Sequence, residues 1–73
     1  MDKRIIEIMQ RVFDTQDITI ATNQNNCEKW DSLHHLNLIV ELETEFDVEF
    51  EPEEIAEMKS FETVRSIVKS KID

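Results

Sequence analysis

Residues 31–46, DSLHHLNLIVELETEF, carry the pattern that decides how this chain folds. On a wheel advancing about 100° per residue, Leu38, Ile39, Leu42 and Phe46 gather on one side. Leu33, Leu36 and Val40 gather on the other, with Asn37 and Thr44 beside them. The spacing predicts a helix with two apolar stripes. The first stripe belongs in a core; a small bundle has difficulty burying the second as well, so part of it is expected to face solvent or a transient partner. A competing period overlaps the end of this stretch. ELETEFDVEFE, residues 41–51, alternates acidic or polar with mostly apolar residues, as a half-buried strand does. The helical reading is preferred to about Phe46. A strand would align Glu41, Glu43, Glu45, Asp47 and Glu49 on one face with no basic residue nearby, and no Gly or Asn-Gly turn follows to return a hairpin.

Working outward, Ile5, Met9 and Val12 recur at helical spacing, with Ile6 and Phe13 widening the stripe, so a first amphipathic helix is expected from about Asp2 to Asp14. Its acidic start and Arg11 near its end suit the helix dipole. From Thr15 to Trp30 the period is lost among Asn, Gln and Thr, which compete for local backbone hydrogen bonds. A long loop is expected there, tacked to the core by Ile18, Ile20 and Trp30. Beyond Asp47, Val48 and Phe50 fall in a short extended link. Pro52 then opens a short helix through about Met58, with Glu53 and Glu54 in its favourable first turn. Ser60 caps a last helix whose Phe61, Val64, Val68 and Ile72 form one stripe with Ile67 alongside, and Lys69 and Lys71 sit at its C-terminal end. The expected fold is all-α, a small up-and-down bundle of three main helices plus one short helix.

At 73 residues the chain is one small domain. Seventeen acidic against eight basic residues give a net charge of −9, which repels phosphate backbones and anionic headgroups. Nucleic acid and membrane surfaces are therefore poor partners, and a protein with a basic patch is a better one. Between Asp31 and Glu57 there are ten acidic residues and no Lys or Arg. The N-terminal residues mix charges among the apolar ones, unlike a signal sequence or a membrane span. With a single cysteine, Cys27, no internal disulfide is possible and no oxidising compartment is required, so a cytoplasmic protein is expected. Cys27 has only Lys29 as a basic neighbour and reads as an incidental thiol. His34 and His35 are adjacent and diverge by about 100° on a helix, which prevents them from chelating one metal as an i, i+4 pair would. No metal site is expected. His35 falls on the inner stripe and should be packed and hydrogen-bonded. DVEFEPEE lacks the central glycine and ligand spacing of an EF-hand loop, and no cleft marks a carboxylate pair for acid–base work.

Asp31-Ser32-Leu33 opens the second helix after a polar loop. A helix start offers free N–H groups and partial positive charge where a phosphate ester is easily held, but Asp-Ser at such a position is ordinarily just a cap. Here the whole pattern resembles the acyl carrier proteins: DSL at the start of the second helix, Leu42-Glu43 and Glu45-Phe46 toward its end, an acidic link, a short helix, and a final amphipathic helix. The resemblance covers essentially the whole chain. It implies that Ser32 is esterified with 4′-phosphopantetheine, taken from coenzyme A by a phosphopantetheinyl transferase, and that Asp31 helps to orient magnesium and phosphate during that transfer. Leu33 corresponds to a usual contact for partner enzymes, and Asn37, Val40, Glu43 and Thr44, with Asp47 nearby, match the partner-facing positions of the second helix. His34 lies near the arm and is a further candidate contact.

A carrier makes no bonds itself; a thiol on a flexible arm holds the acyl group as a thioester. The chain is accordingly expected not to be an enzyme. It is expected to act as a monomer, served by the transferase, an acyl-loading ligase or acyltransferase, and downstream biosynthetic enzymes. Hiding and releasing an acyl chain would require the helices to part slightly. Trp30 stands where many fatty-acid carriers have a small residue, His34 where they often have an acid, and Asn37 and Thr44 replace acids expected on such carriers. These departures suggest a stand-alone carrier of a specialised pathway, with acyl or aminoacyl cargo. The alternative is a small acidic helical interaction domain without a prosthetic group.

Overall fold

The computed structural model describes residues 1–73. Four helices follow one another: α1 (Asp2–Phe13), α2 (Ser32–Phe46), α3 (Pro52–Glu57) and α4 (Phe61–Ile72). No strand forms, and the alternating stretch from Glu41 is helical as far as Phe46. The ends of these helices are written in local chemistry. Asp31 caps α2 by accepting the His34 N–H; Ser60 caps α4 by accepting the Thr63 N–H, and the Thr63 hydroxyl takes the Ser60 N–H in return. With no glycine in the chain, the left-handed residues that end α1 and α2 are aspartates, Asp14 at φ 52° and Asp47 at φ 54°. Aspartate tolerates this region better than most residues because its short carboxylate bonds locally. The Asp47 and Val48 N–H groups both return to the Glu43 carbonyl, which stops the alternating stretch from continuing as helix.

Fourteen buried apolar side chains form one cluster. α1 contributes Ile5, Ile8, Met9 and Phe13; α2 contributes Leu38, Ile39 and Leu42; α4 contributes Phe61, Val64 and Val68. The rest come from the connections: Ile18, Trp30, Phe50 and Met58. Several sequence expectations shift here. Ile8, absent from the expected stripe, is fully buried, while Val12, Ile6 and Phe46 are only half-buried at its edge. Ile72 is 43% exposed because α4 runs past the core at its last turn.

Ile20 does not anchor the long loop; it is 68% exposed. Backbone pairing does that work. The Phe61 N–H donates to the Thr22 carbonyl (2.8 Å) and the Gln24 N–H to the Lys59 carbonyl (3.0 Å), around an isolated antiparallel bridge between Asn23 and Ser60. Thr22 is buried, and its hydroxyl accepts the Thr19 N–H at 2.8 Å. The loop is thus sewn to the α3–α4 connection, and its end is held by Trp30, whose ring lies 5.1 Å from that of Phe13.

α3 differs from the other helices in burying no side chain completely. It is held to α4 by the Lys71–Glu54 ion pair (2.8 Å) and to α2 by a hydrogen bond from His35 to the Ile55 carbonyl. No helix is long and apolar enough to cross a membrane.

Candidate functional site at the start of α2

Trp30, Asp31 and Ser32 turn the chain from the long loop into α2. Trp30 is buried against Phe13, so the next two residues are delivered to the surface at a fixed place. Asp31 is extended (φ −96°, ψ −177°), and a single oxygen, Oδ1, accepts both the His34 N–H (2.9 Å) and the His34 ring Nδ1–H (2.7 Å). Those two donors, the backbone N–H first, hold the Asp31 carboxyl below the usual carboxylate range. Ser32 is the first residue of the helix and is exposed. Its hydroxyl therefore sits at the end of a 15-residue helix, where the first N–H groups have no carbonyl in a preceding turn and partial positive charge gathers. This is a site suited to an anionic phosphoester, with a carboxylate next to it that can take a divalent cation. The residues present fit a phosphopantetheine arm.

Beside Ser32 runs a groove of about 490 Å³ lined by Gln24, Trp30, Asp31, Ser32, His35 and Leu36. Its lining residues Gln24 and His35 were not legible as neighbours of Ser32, since Gln24 reaches it only through the backbone pairing of the loop. His35 is half-buried and hydrogen-bonded at both ring nitrogens, as its place on the inner stripe implied.

The outer stripe of α2 is displayed to solvent. Leu33, Leu36 and Val40 are 66%, 59% and 59% exposed, with Asn37 and Thr44 exposed beside them. The Thr44 hydroxyl is occupied by the Val40 carbonyl (2.9 Å). Asp47 is exposed but is also the left-handed end of the helix. Glu43 departs from the expected outward placement: it is half-buried, and its Oε2 accepts the Phe50 N–H at 3.0 Å. Its carboxylate bridges α2 to the extended link.

The acidic run is also less bare in space than along the chain. Arg4 on α1 grips Glu45 with Nε and Nη2 (2.9 and 2.7 Å), Arg11 pairs with Glu41, and Lys71 with Glu54. The arginine lowers Glu45 and the Glu51 N–H, then Lys71, lowers Glu54; Lys71 is raised in turn by Glu54. The ion pairs leave out Asp47, Glu49, Glu53 and Glu57, all exposed.

Comparison with solved structures places the fold. The solution structure of a holo acyl carrier protein from Geobacter metallireducens is 33% identical, aligns over 97% of this chain and 84% of its own, and superposes with a TM-score of 0.87. The chain belongs to the acyl carrier protein family. A provisionally named acyl carrier protein from Mycobacterium tuberculosis, 28% identical over 94% of this chain and 95% of its own, superposes with a TM-score of 0.82. No protein-family model and no curated protein matches the chain.

Proposed function

We propose that this acyl carrier protein holds an acyl or aminoacyl group as a thioester on a 4′-phosphopantetheine arm attached to Ser32, and presents it to separate enzymes of a specialised pathway in the cytoplasm. The observation that carries the reading is the exposed Ser32 hydroxyl at the start of α2, next to the Asp31 carboxylate and the groove. When bound, the arm supplies the thiol that carries the acyl group. The chain's own residues do the rest. Trp30 fixes the position of the turn, Asp31 caps the helix and offers a carboxylate for magnesium during arm transfer, and Leu33, Leu36 and Val40 form the apolar centre of a docking face with Asn37, Thr44 and Asp47 around it.

The carrier is not an enzyme in this reading. Its partners are a phosphopantetheinyl transferase, a loading ligase or acyltransferase, and the enzymes that consume the thioester. Asn37 and Thr44 make the docking face less acidic than that expected of a fatty-acid carrier, which supports a dedicated partner set. The test is intact-mass measurement after incubation with coenzyme A and a broad-specificity phosphopantetheinyl transferase. The protein is expected to gain one phosphopantetheinyl group and Ser32→Ala none. A folded protein that gains nothing would instead support an acidic interaction domain without a prosthetic group.

A further inference from the structure

The His35 imidazole joins three segments. The Trp30 Nε1–H donates to His35 Nδ1 (2.9 Å), His35 Nε2 meets the Ile55 carbonyl of α3 (2.9 Å), and the imidazole and indole planes lie within 25° of each other. Indole N–H can only donate and a carbonyl can only accept. One arrangement satisfies both: Nδ1 carries the lone pair and Nε2 the proton. The ring thus spans the seam between α2 and α3 and, with Trp30, lines the groove beside Ser32. α3 has no fully buried side chain; Ile55 packs at the edge of the core, and the His35 bond ties its carbonyl to α2. Leu38 and Ile39, the first buried residues of α2, lie one turn beyond it.

A long alkyl chain leaving Ser32 for the core along this seam would have to displace the imidazole. That would strand the indole N–H, to which an apolar chain offers no partner, and would leave the Ile55 carbonyl with the Met58 N–H alone. The groove itself takes its polar atoms from Gln24, Asp31 and Ser32 and an apolar wall from Trp30 and Leu36, the indole N–H and both His35 nitrogens being already bonded. We propose that His35 is a specificity-determining bar: bonded to Trp30 and to Ile55, it closes the bundle to alkyl chains, so that the thioester cargo is a short or polar acyl group that stays in water. The inference rests on the carrier reading above and names the class of its cargo.

The test loads the full chain through the transferase from acetyl-coenzyme A and, separately, from octanoyl-coenzyme A. Intact mass verifies each product, and thioester cleavage by hydroxylamine is then timed, with the two free coenzyme A esters as references. Wild type is expected to cleave its octanoyl thioester as fast, relative to octanoyl-coenzyme A, as its acetyl thioester relative to acetyl-coenzyme A. His35→Ala, which removes the ring and both bonds, is expected to protect the octanoyl thioester several-fold. His35→Gln, whose amide can accept from Trp30 and donate to Ile55, is expected to behave as wild type. Several-fold protection of the octanoyl thioester in wild type overturns the proposal, and this arm decides alone if His35→Ala fails to fold by circular dichroism. Absence of any mass gain on folded wild type removes the carrier reading itself, a different result from a loaded protein that shields its cargo.

Discussion

The Asp31 carboxylate takes both hydrogen bonds from His34 on Oδ1, so one oxygen caps both the helix and the His34 ring. Its titration follows from the cap. The folded carboxyl is held below its unfolded value by the His34 backbone and ring donors, and the positive end of α2 acts in the same direction. A depressed carboxyl stabilises the folded state fully above the unfolded value, near pH 4, and that contribution disappears as pH falls through the folded value. Asp31→Asn keeps an oxygen that can accept the His34 N–H but carries no charge. Wild type is therefore expected to have a higher Tm than Asp31→Asn at neutral pH, and the two are expected to converge as the pH drops below about 4. Thermal melts of both proteins across that range check this; a gap unchanged from neutral pH to pH 3 would mean that Asp31 acts by shape alone.

Two neighbouring positions on α2 separate docking from structure. Val40 is 59% exposed and touches no polar partner through its side chain, so Val40→Lys should change stability by less than about 0.5 kcal/mol while slowing transfer to enzymes that dock on the outer stripe. Glu43 accepts the Phe50 N–H. Glu43→Lys removes that acceptor and should cost about 1 kcal/mol, seen as a lower denaturant midpoint whether or not any partner is present. Equal midpoints for the two variants would show that the bridge to Phe50 contributes nothing. The contrast also shows what could be read in the chain before it folded. Helix bounds, caps and the outer stripe depend on residues within a turn or two, and the pattern from Asp31 to Phe46 carries them. The Glu43–Phe50 and His35–Ile55 bonds join a side chain to a backbone group seven and twenty residues away, and backbone groups leave no mark in sequence. Ile20 was misplaced for the same reason: the loop is anchored by the Thr22 carbonyl and the Gln24 N–H, so it has no need of an apolar pin there. Met58, fully buried at the end of α3, has no periodic neighbours to reveal it. The place of Ser32 at the start of α2, by contrast, is legible because a cap and the helix it opens are adjacent in the chain.

At the scale of the molecule, a net charge of −9 is distributed with purpose only where the acids are unpaired. Arg4, Arg11 and Lys71 reach in from α1 and α4 to take Glu45, Glu41 and Glu54, and such exposed pairs mute the field locally. What remains is a patch running from the end of α2 through the link into α3, with Asp47, Glu49, Glu53 and Glu57 exposed. An enzyme approaching Ser32 with a basic surface would be drawn by this patch, and the attraction would act on encounter more than on the docked complex. Raising salt from about 0.1 M to about 1 M shortens the screening length from about 10 Å to about 3 Å, so kcat/KM for arm transfer to Ser32 should fall across that range. The double variant Glu49→Gln, Glu53→Gln removes two of these charges without touching an ion pair. It should load more slowly than wild type at low salt, show a shallower salt dependence, and meet the wild-type rate at high salt. Parallel salt curves for the two proteins would mean that these carboxylates serve solvation alone, and that the apolar stripe of Leu33, Leu36 and Val40 directs the encounter without them.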